Sequence, residues 1–131
     1  FPGEKEKNFI NTLDLLEEIK PARIHIFPYS KRPGTAAAEF DEVVSPEDLR
    51  ERYQRVRKFE ARSSFIYRSQ YINKKLKVLV EAKRDPKTNL LCGYTENYIR
   101  VVFEGRDELK NSILPVKVVD VTIDTTRGKV A

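Results

Sequence analysis

The chain has 131 residues, 40% hydrophobic and 34% charged, with a formal net charge of +5. That is room for one domain, or for one small domain and part of another. One cysteine, Cys92, excludes an intrachain disulfide and a thiolate metal cluster, and no apolar run approaches the ~20 residues that span a bilayer. No stretch reads as a signal peptide, and a reducing, cytoplasmic setting is expected. Methionine is absent, so the chain reads as a piece of a longer protein, with a processed chain as the other reading. The charge is uneven. Gln70 to Ala131 carries 12 basic and 8 acidic side chains, whereas Phe1 to Ser69 carries 13 and 12. An excess on the second part suits a polyanionic partner, against the plainer reading of solubilising charge.

In chain order, Phe1 to Glu4 is a loop, and Glu4 to Ile19 is expected as a helix. Phe9, Leu13, Leu16 and Ile19 form one apolar stripe, and Glu4 and Glu6 suit the positive end of the helix dipole. Pro21 stops the helix. Arg23 to Phe27 reads as a short strand, and Pro28 to Thr35 as a loop stiffened by Pro28 and Pro33. Ser45-Pro46-Glu47-Asp48 is a helix start. Ser45 caps, Pro46 suits the first helical position, and Asp48 can reach back to the Ser45 amide. Leu49, Tyr53, Val56, Phe59, Ser63 and Ile66 keep helical spacing to about Ser69. Arginines crowd the other faces. Phosphate or membrane binding is one reading of them, but interrupting glutamates make a solvated face with i,i+4 pairs the default.

The second half reads as strands. Leu76, Val78 and Val80 alternate with Lys77, Leu79 and Glu81, the period of a half-buried strand. Asp85 to Asn89 is turn chemistry, Leu90 to Thr95 returns, and Glu96-Asn97 turns again. Tyr98 to Glu104 is a third strand, with Ile99, Val101 and Phe103 on one face and Tyr98, Arg100 and Val102 on the other. Ile113 to Val119 and Val121 to Thr125 supply two more. Five short strands imply a small OB-like barrel, and tyrosine and arginine on its outer face are the make-up of an RNA platform.

Three ordered motifs carry a family resemblance: Phe1-Pro2-Gly3-Glu4, then His25 to Ala37 (HIFPYSKRPGTAA), then Gly93-Tyr94-Thr95-Glu96-Asn97-Tyr98. Together they resemble the C-terminal half of a radical-SAM tRNA methylthiotransferase, nearest to the branch acting on threonylcarbamoyladenosine beside the anticodon. The resemblance covers nearly the whole chain. The fold class it implies is α+β. Residues 1–69 would be the C-terminal piece of a radical-SAM (β/α) barrel, in helix-strand-helix order. Residues 70–131 would be a five-stranded antiparallel OB-like β-barrel, the TRAM domain, which presents tRNA to the active site. The parent enzyme would use S-adenosylmethionine and two [4Fe-4S] clusters to insert sulfur into an adenine C–H bond and methylate it. The cluster cysteines have no counterpart here, and Cys92 cannot replace them, since clusters need several thiolates in one site. This chain alone is therefore expected to be inactive and to depend on the rest of its polypeptide. Where the family often has a glycine after the acidic loop, this chain has Lys110-Asn111-Ser112, which leaves the turn geometry open.

The resemblance places Gly3 and Glu4 near the S-adenosylmethionine adenosine, against a plain turn into the helix. It gives Tyr29 and Ser30 backbone contacts to the adenine, against a structural loop. His25 is a conceivable general base, but a packed histidine is the stronger reading. For RNA the candidates are Tyr94, Asn97, Tyr98 and Arg100, through stacking and hydrogen bonds to splayed bases. Lys75 and Lys77 would meet phosphate. For each residue singly, a solvated strand face or a core tyrosine competes. The expected partner is a tRNA anticodon stem-loop. Two rivals stand beside it: the sister branch that methylthiolates a ribosomal-protein aspartate, and a stand-alone nucleic-acid-binding module.

Overall fold

The computed structural model describes residues 1–131, which pack as two compact units, residues 1–63 and 64–131. In the first unit, helix α1 spans Glu6–Ile19, two residues later than expected. Asn8 accounts for the start: its Oδ1 accepts the Lys5 N–H at 3.0 Å, which satisfies one of the donors a helix leaves orphaned. The helix ends on Lys20 at φ +47, where its N–H bonds the Leu16 carbonyl at 3.0 Å. Along the predicted stripe Phe9 is buried, Leu13 and Leu16 are half-buried, and Ile19 is exposed. The guanidinium groups of Arg52 and Arg55 lie 5.5 and 4.7 Å from the Phe9 ring centroid, an attraction that adds to its burial.

Helix α2 spans Pro46–Ser69, as its capping sequence predicts. The Asp48 N–H donates to Ser45 Oγ at 3.0 Å, and the Ser45 hydroxyl donates to the Asp48 carboxylate at 2.7 Å. Asp48 therefore meets the Ser45 hydroxyl and not its amide. The expected strand Arg23–Phe27 does not form; residues 21–32 carry no helix or strand. A strand needs a neighbour for its backbone bonds, and the first unit holds no other strand. This unit is two helices joined by an irregular segment with one short 3-10 turn at Ala36–Glu39, in place of the helix-strand-helix order.

The second unit is a closed barrel of five strands: β1 Lys75–Val80, β2 Leu91–Thr95, β3 Arg100–Phe103, β4 Ile113–Val121 and β5 Thr126–Val130. Their spatial order is β1-β2-β3-β5-β4. All neighbours are antiparallel except β3 and β5, which run parallel. The barrel is thus mixed, correcting the antiparallel expectation. The third strand starts at Arg100 and not Tyr98. The last strands also shift: Ile113 continues to Val121, a turn closed by Thr122 N–H to Thr125 O at 2.8 Å follows, and β5 begins at Thr126.

Val78, Val80, Leu91, Ile99, Val101, Phe103 and Val116 fill the barrel. They alternate with outward residues as the period of two requires. Each buried side chain of this size contributes roughly 1.5–3 kcal/mol. Gly93 and Gly128 face inward where strands run close: a Cβ on Gly93 would strike the Leu79 backbone, and one on Gly128 the Val116 side chain. At the β3–β4 connection Asn111 takes φ +58 and bonds its N–H to the Val80 carbonyl at 3.0 Å. Asparagine tolerates this left-handed region, so the turn closes without glycine.

A second, smaller cluster lies outside the barrel wall. Cys92 and Val102 are paired across β2 and β3 and point outward, yet both are buried. The 81–90 loop covers Cys92, whose thiol meets Glu81 Oε2 at 3.1 Å and the Lys83 carbonyl at 3.3 Å. Arg84 fastens that loop through Nε to Asp107 Oδ1, Nη1 to Asn89 O and Nη2 to Gly105 O, each at 2.9 Å.

Candidate nucleic-acid interface

The β2–β3 connection is a tight hairpin. Tyr98 N–H donates to the Thr95 carbonyl, and Thr95 N–H to the Ile99 carbonyl, both at 3.0 Å. This closes a three-residue loop, Glu96-Asn97-Tyr98. Such loops end on a residue in the left-handed region, where glycine is usual because it has no Cβ to clash. Here that residue is Tyr98, at φ +61 and 83% exposed.

The turn is pinned from inside. Thr95 Oγ1 accepts the Ile99 N–H at 2.9 Å and donates to Asn97 Oδ1 at 2.6 Å. Asn97 Nδ2 donates to the Tyr67 hydroxyl at 3.1 Å, and the Tyr71 hydroxyl donates to the same oxygen at 3.3 Å. The hydrogen bond to Tyr67, with burial, pushes the Tyr71 hydroxyl pKa up. The Tyr67 and Tyr71 rings stand 5.5 Å apart, with Lys74 Nζ 5.2 Å from the Tyr71 ring centre. Asn97 is therefore committed to holding the turn, and Tyr98 is what the turn presents.

Tyr94 lies directly across from Arg100 on β3 and from Leu79 on β1. Leu79 in turn faces Ile113 on β4, so an outward row Ile113–Leu79–Tyr94–Arg100 crosses four strands. Leu79 and Ile113 are 55% and 67% exposed. Lys75 and Lys77 point outward on β1 beside this row, and no ion pair engages either. Arg100 differs. Its guanidinium is bound to the Asp85 carboxylate at 3.0 Å. Asp85 also accepts the Thr88 hydroxyl at 2.7 Å and the Thr88 N–H at 2.8 Å. The Thr88 bonds, reinforced by Arg100, hold the Asp85 pKa down to about 2. Arg100 thus helps fix the loop over Cys92. Tyr94, Asn97, Tyr98 and Arg100 share one hairpin, but only Tyr94 and Tyr98 among them keep a side chain free of such a bond. Tyr67 and Tyr71, at the end of α2 and just after it, had no sequence signal beyond helical spacing. Leu79 and Ile113 were visible only as outward positions of their strands.

In the first unit, Glu4 and Tyr29 line one apolar groove of about 370 Å³ with Phe1, Leu16, Ile24 and Phe27. Glu4 is occupied by Arg52, whose Nη1 donates to its carboxylate at 2.9 Å and to its carbonyl at 3.0 Å. Tyr29 meets the Phe1 ring edge-on at 6.0 Å. Gly3 and Ser30 are not on this groove; Gly3, at φ +74, donates its N–H to the Glu42 carbonyl at 2.9 Å. His25 also reaches the groove wall and is exposed, not packed in a core. No group of His, Cys, Asp or Glu is placed to hold a metal ion. The one cysteine donates its thiol to Glu81 Oε2 at 3.1 Å, and burial pushes its pKa up. No helix is long and apolar enough to cross a membrane.

The hairpin thus presents Tyr98, while Lys75 and Lys77 on β1 engage no ion pair. No family model matches the chain. It is 38% identical over 120 residues to the threonylcarbamoyladenosine tRNA methylthiotransferase MtaB of Bacillus subtilis (strain 168), covering 90% of this chain and 27% of that protein. It is 34% identical over 132 residues to the tRNA-2-methylthio-N(6)-dimethylallyladenosine synthase of Aliarcobacter butzleri (strain RM4018), covering 99% of this chain and 30% of that one. The synthase of the same name from Symbiobacterium thermophilum is 33% identical over 129 residues, 98% of this chain and 27% of its own length. Over nearly its whole length the chain is thus homologous to the tRNA methylthiotransferases, as the motifs implied. It spans less than a third of the length of these relatives.

Proposed function

We propose that this chain is the tRNA-gripping part of a methylthiotransferase that acts on N6-threonylcarbamoyladenosine beside the anticodon. The observation that carries it is Tyr98. A strained, exposed tyrosine held out by a half-buried hydrogen-bond network is the kind of outlier that points to function. An open ring beside Tyr94 and two unpaired lysines can stack a splayed base, contributing roughly 1–3 kcal/mol, while the lysines meet phosphate. In this reading residues 70–131 are a TRAM domain and residues 1–69 an edge of the radical-SAM barrel.

The parent's S-adenosylmethionine would meet Glu4 and Tyr29 on the groove of the first unit. The iron–sulfur clusters do not fit the residues of this chain, since Cys92 is alone and its thiol is enclosed; their ligands belong to the remaining polypeptide. A second reading, the dimethylallyladenosine branch, is favoured by relatives of that name at 34% and 33% identity. Nucleoside mass spectrometry of tRNA from a strain lacking the gene separates the two by which 2-methylthio nucleoside disappears. Binding of an anticodon stem-loop across a salt series tests the tRNA reading. Single-strand contacts predict a log–log slope near −0.7 per phosphate. A flat response, or equal affinity for any polyanion, refutes it.

A further inference from the structure

The strand register places three lysines in one line across three strands. Lys75 on β1 is directly opposite Lys117 on β4, and Lys117 is directly opposite Lys129 on β5. Val116, Val118 and Gly128 face the interior, so Lys117 and Lys129 point out, as Lys75 does. Opposed residues in such a ladder have Cβ atoms only about 4.5–5.5 Å apart, and like charges there repel. No ion pair engages any of the three, nor Lys77, which lies two residues along β1 from Lys75; Arg127, two residues along β5 from Lys129, faces Asp120 on β4. An outside anion placed over the line relieves that repulsion. Two strand spacings of ~4.8 Å make the line about 10 Å long, the length of about three phosphates of a stacked strand at ~3.4 Å each, so a short run of sugar–phosphate backbone can lie along it.

We infer that the Lys75–Lys117–Lys129 row is a phosphate track. It carries the RNA backbone around the barrel from the Tyr98 side of β1 toward β5. The inference rests on the tRNA reading and adds a direction to it: bases are read at the β2–β3 hairpin, and the backbone leaves across β1, β4 and β5. The track reads no sequence, because lysine meets phosphate as a point charge.

The test uses the full 131-residue chain and a fluorescent anticodon stem-loop. In a K117Q/K129Q variant the salt slope falls by about 1.4, twice the 0.7 of a single-strand contact, and affinity at 0.1 M salt drops roughly tenfold or more. The loss is the same for stem-loops of different sequence. In the free protein K117Q raises the melting temperature at low salt by a few degrees, as relief of the repulsion requires. An unchanged slope in K117Q/K129Q, while Y98A still weakens binding, overturns the track and leaves the tyrosine platform standing. Absence of stem-loop binding by the parent chain at any salt overturns both. Binding to vesicles of anionic lipid that the double variant loses, with RNA binding intact, assigns the row to a membrane surface and refutes the track.

Discussion

Replacing Tyr98 by glycine should strengthen the fold and weaken the function. In the left-handed region a side chain costs about 1–2 kcal/mol. Glycine recovers that and gives back about 0.5–1 kcal/mol through its freer unfolded chain. Tyr98 is 83% exposed, so deleting its ring removes little packing. The net expectation is a gain of about 0.5–1 kcal/mol, a rise in melting temperature of roughly 2–8 °C for a domain of this size. RNA binding should move the other way. Loss of one stacked base, about 1–3 kcal/mol, weakens stem-loop affinity roughly 5- to 150-fold. Differential scanning fluorimetry and fluorescence anisotropy read the two effects on the same sample. Y98F should bind as the parent does, and Y98N, which also tolerates a positive φ, should melt higher and bind weakly. A Y98G protein that melts lower than the parent, or binds RNA equally well, refutes the reasoning.

Asp85 makes stability depend on acid. Its pKa falls from 3.8 to about 2 on folding, so its contribution is present above 3.8 and disappears as pH drops toward 2; urea midpoints between those values should decline less steeply in D85N. G128A should cost about 1–3 kcal/mol in urea unfolding, because the new methyl meets Val116, Val101 and the Lys117 backbone; a neutral result means β4 and β5 separate easily. Y67F removes the oxygen that accepts from Asn97 and Tyr71. It should lower stability by about 1 kcal/mol and speed amide exchange at Tyr98; unchanged exchange would show that the network does not hold the turn.

Much of the fold was legible where the signal is local. Ser45, Pro46 and Asp48 announced α2, and the Leu76–Glu81 alternation announced β1. What failed depends on partners. Arg23–Phe27 has strand composition, but no neighbour in its unit takes its backbone bonds. Val121–Thr125 has the better strand propensity, yet β5 is Thr-Arg-Gly-Lys-Val, with a glycine that reads as a breaker until Val116 is seen to need the space. The parallel β3–β5 pairing that closes the barrel has no sequence mark. At the site, tyrosine and lysine identities were visible early. That Arg100 answers Asp85, fifteen positions away, and that Lys117 lines up with two other lysines, follow only from register.

Closure of the barrel has one more consequence. Every strand has two neighbours, so the second unit offers no bare backbone edge to another chain. A partner cannot dock by adding a strand, and copies of this unit cannot zip together along their margins as open sheets do. Whatever it holds must be caught by side chains and loops, which leaves its selectivity open to change one residue at a time without touching the wall they stand on.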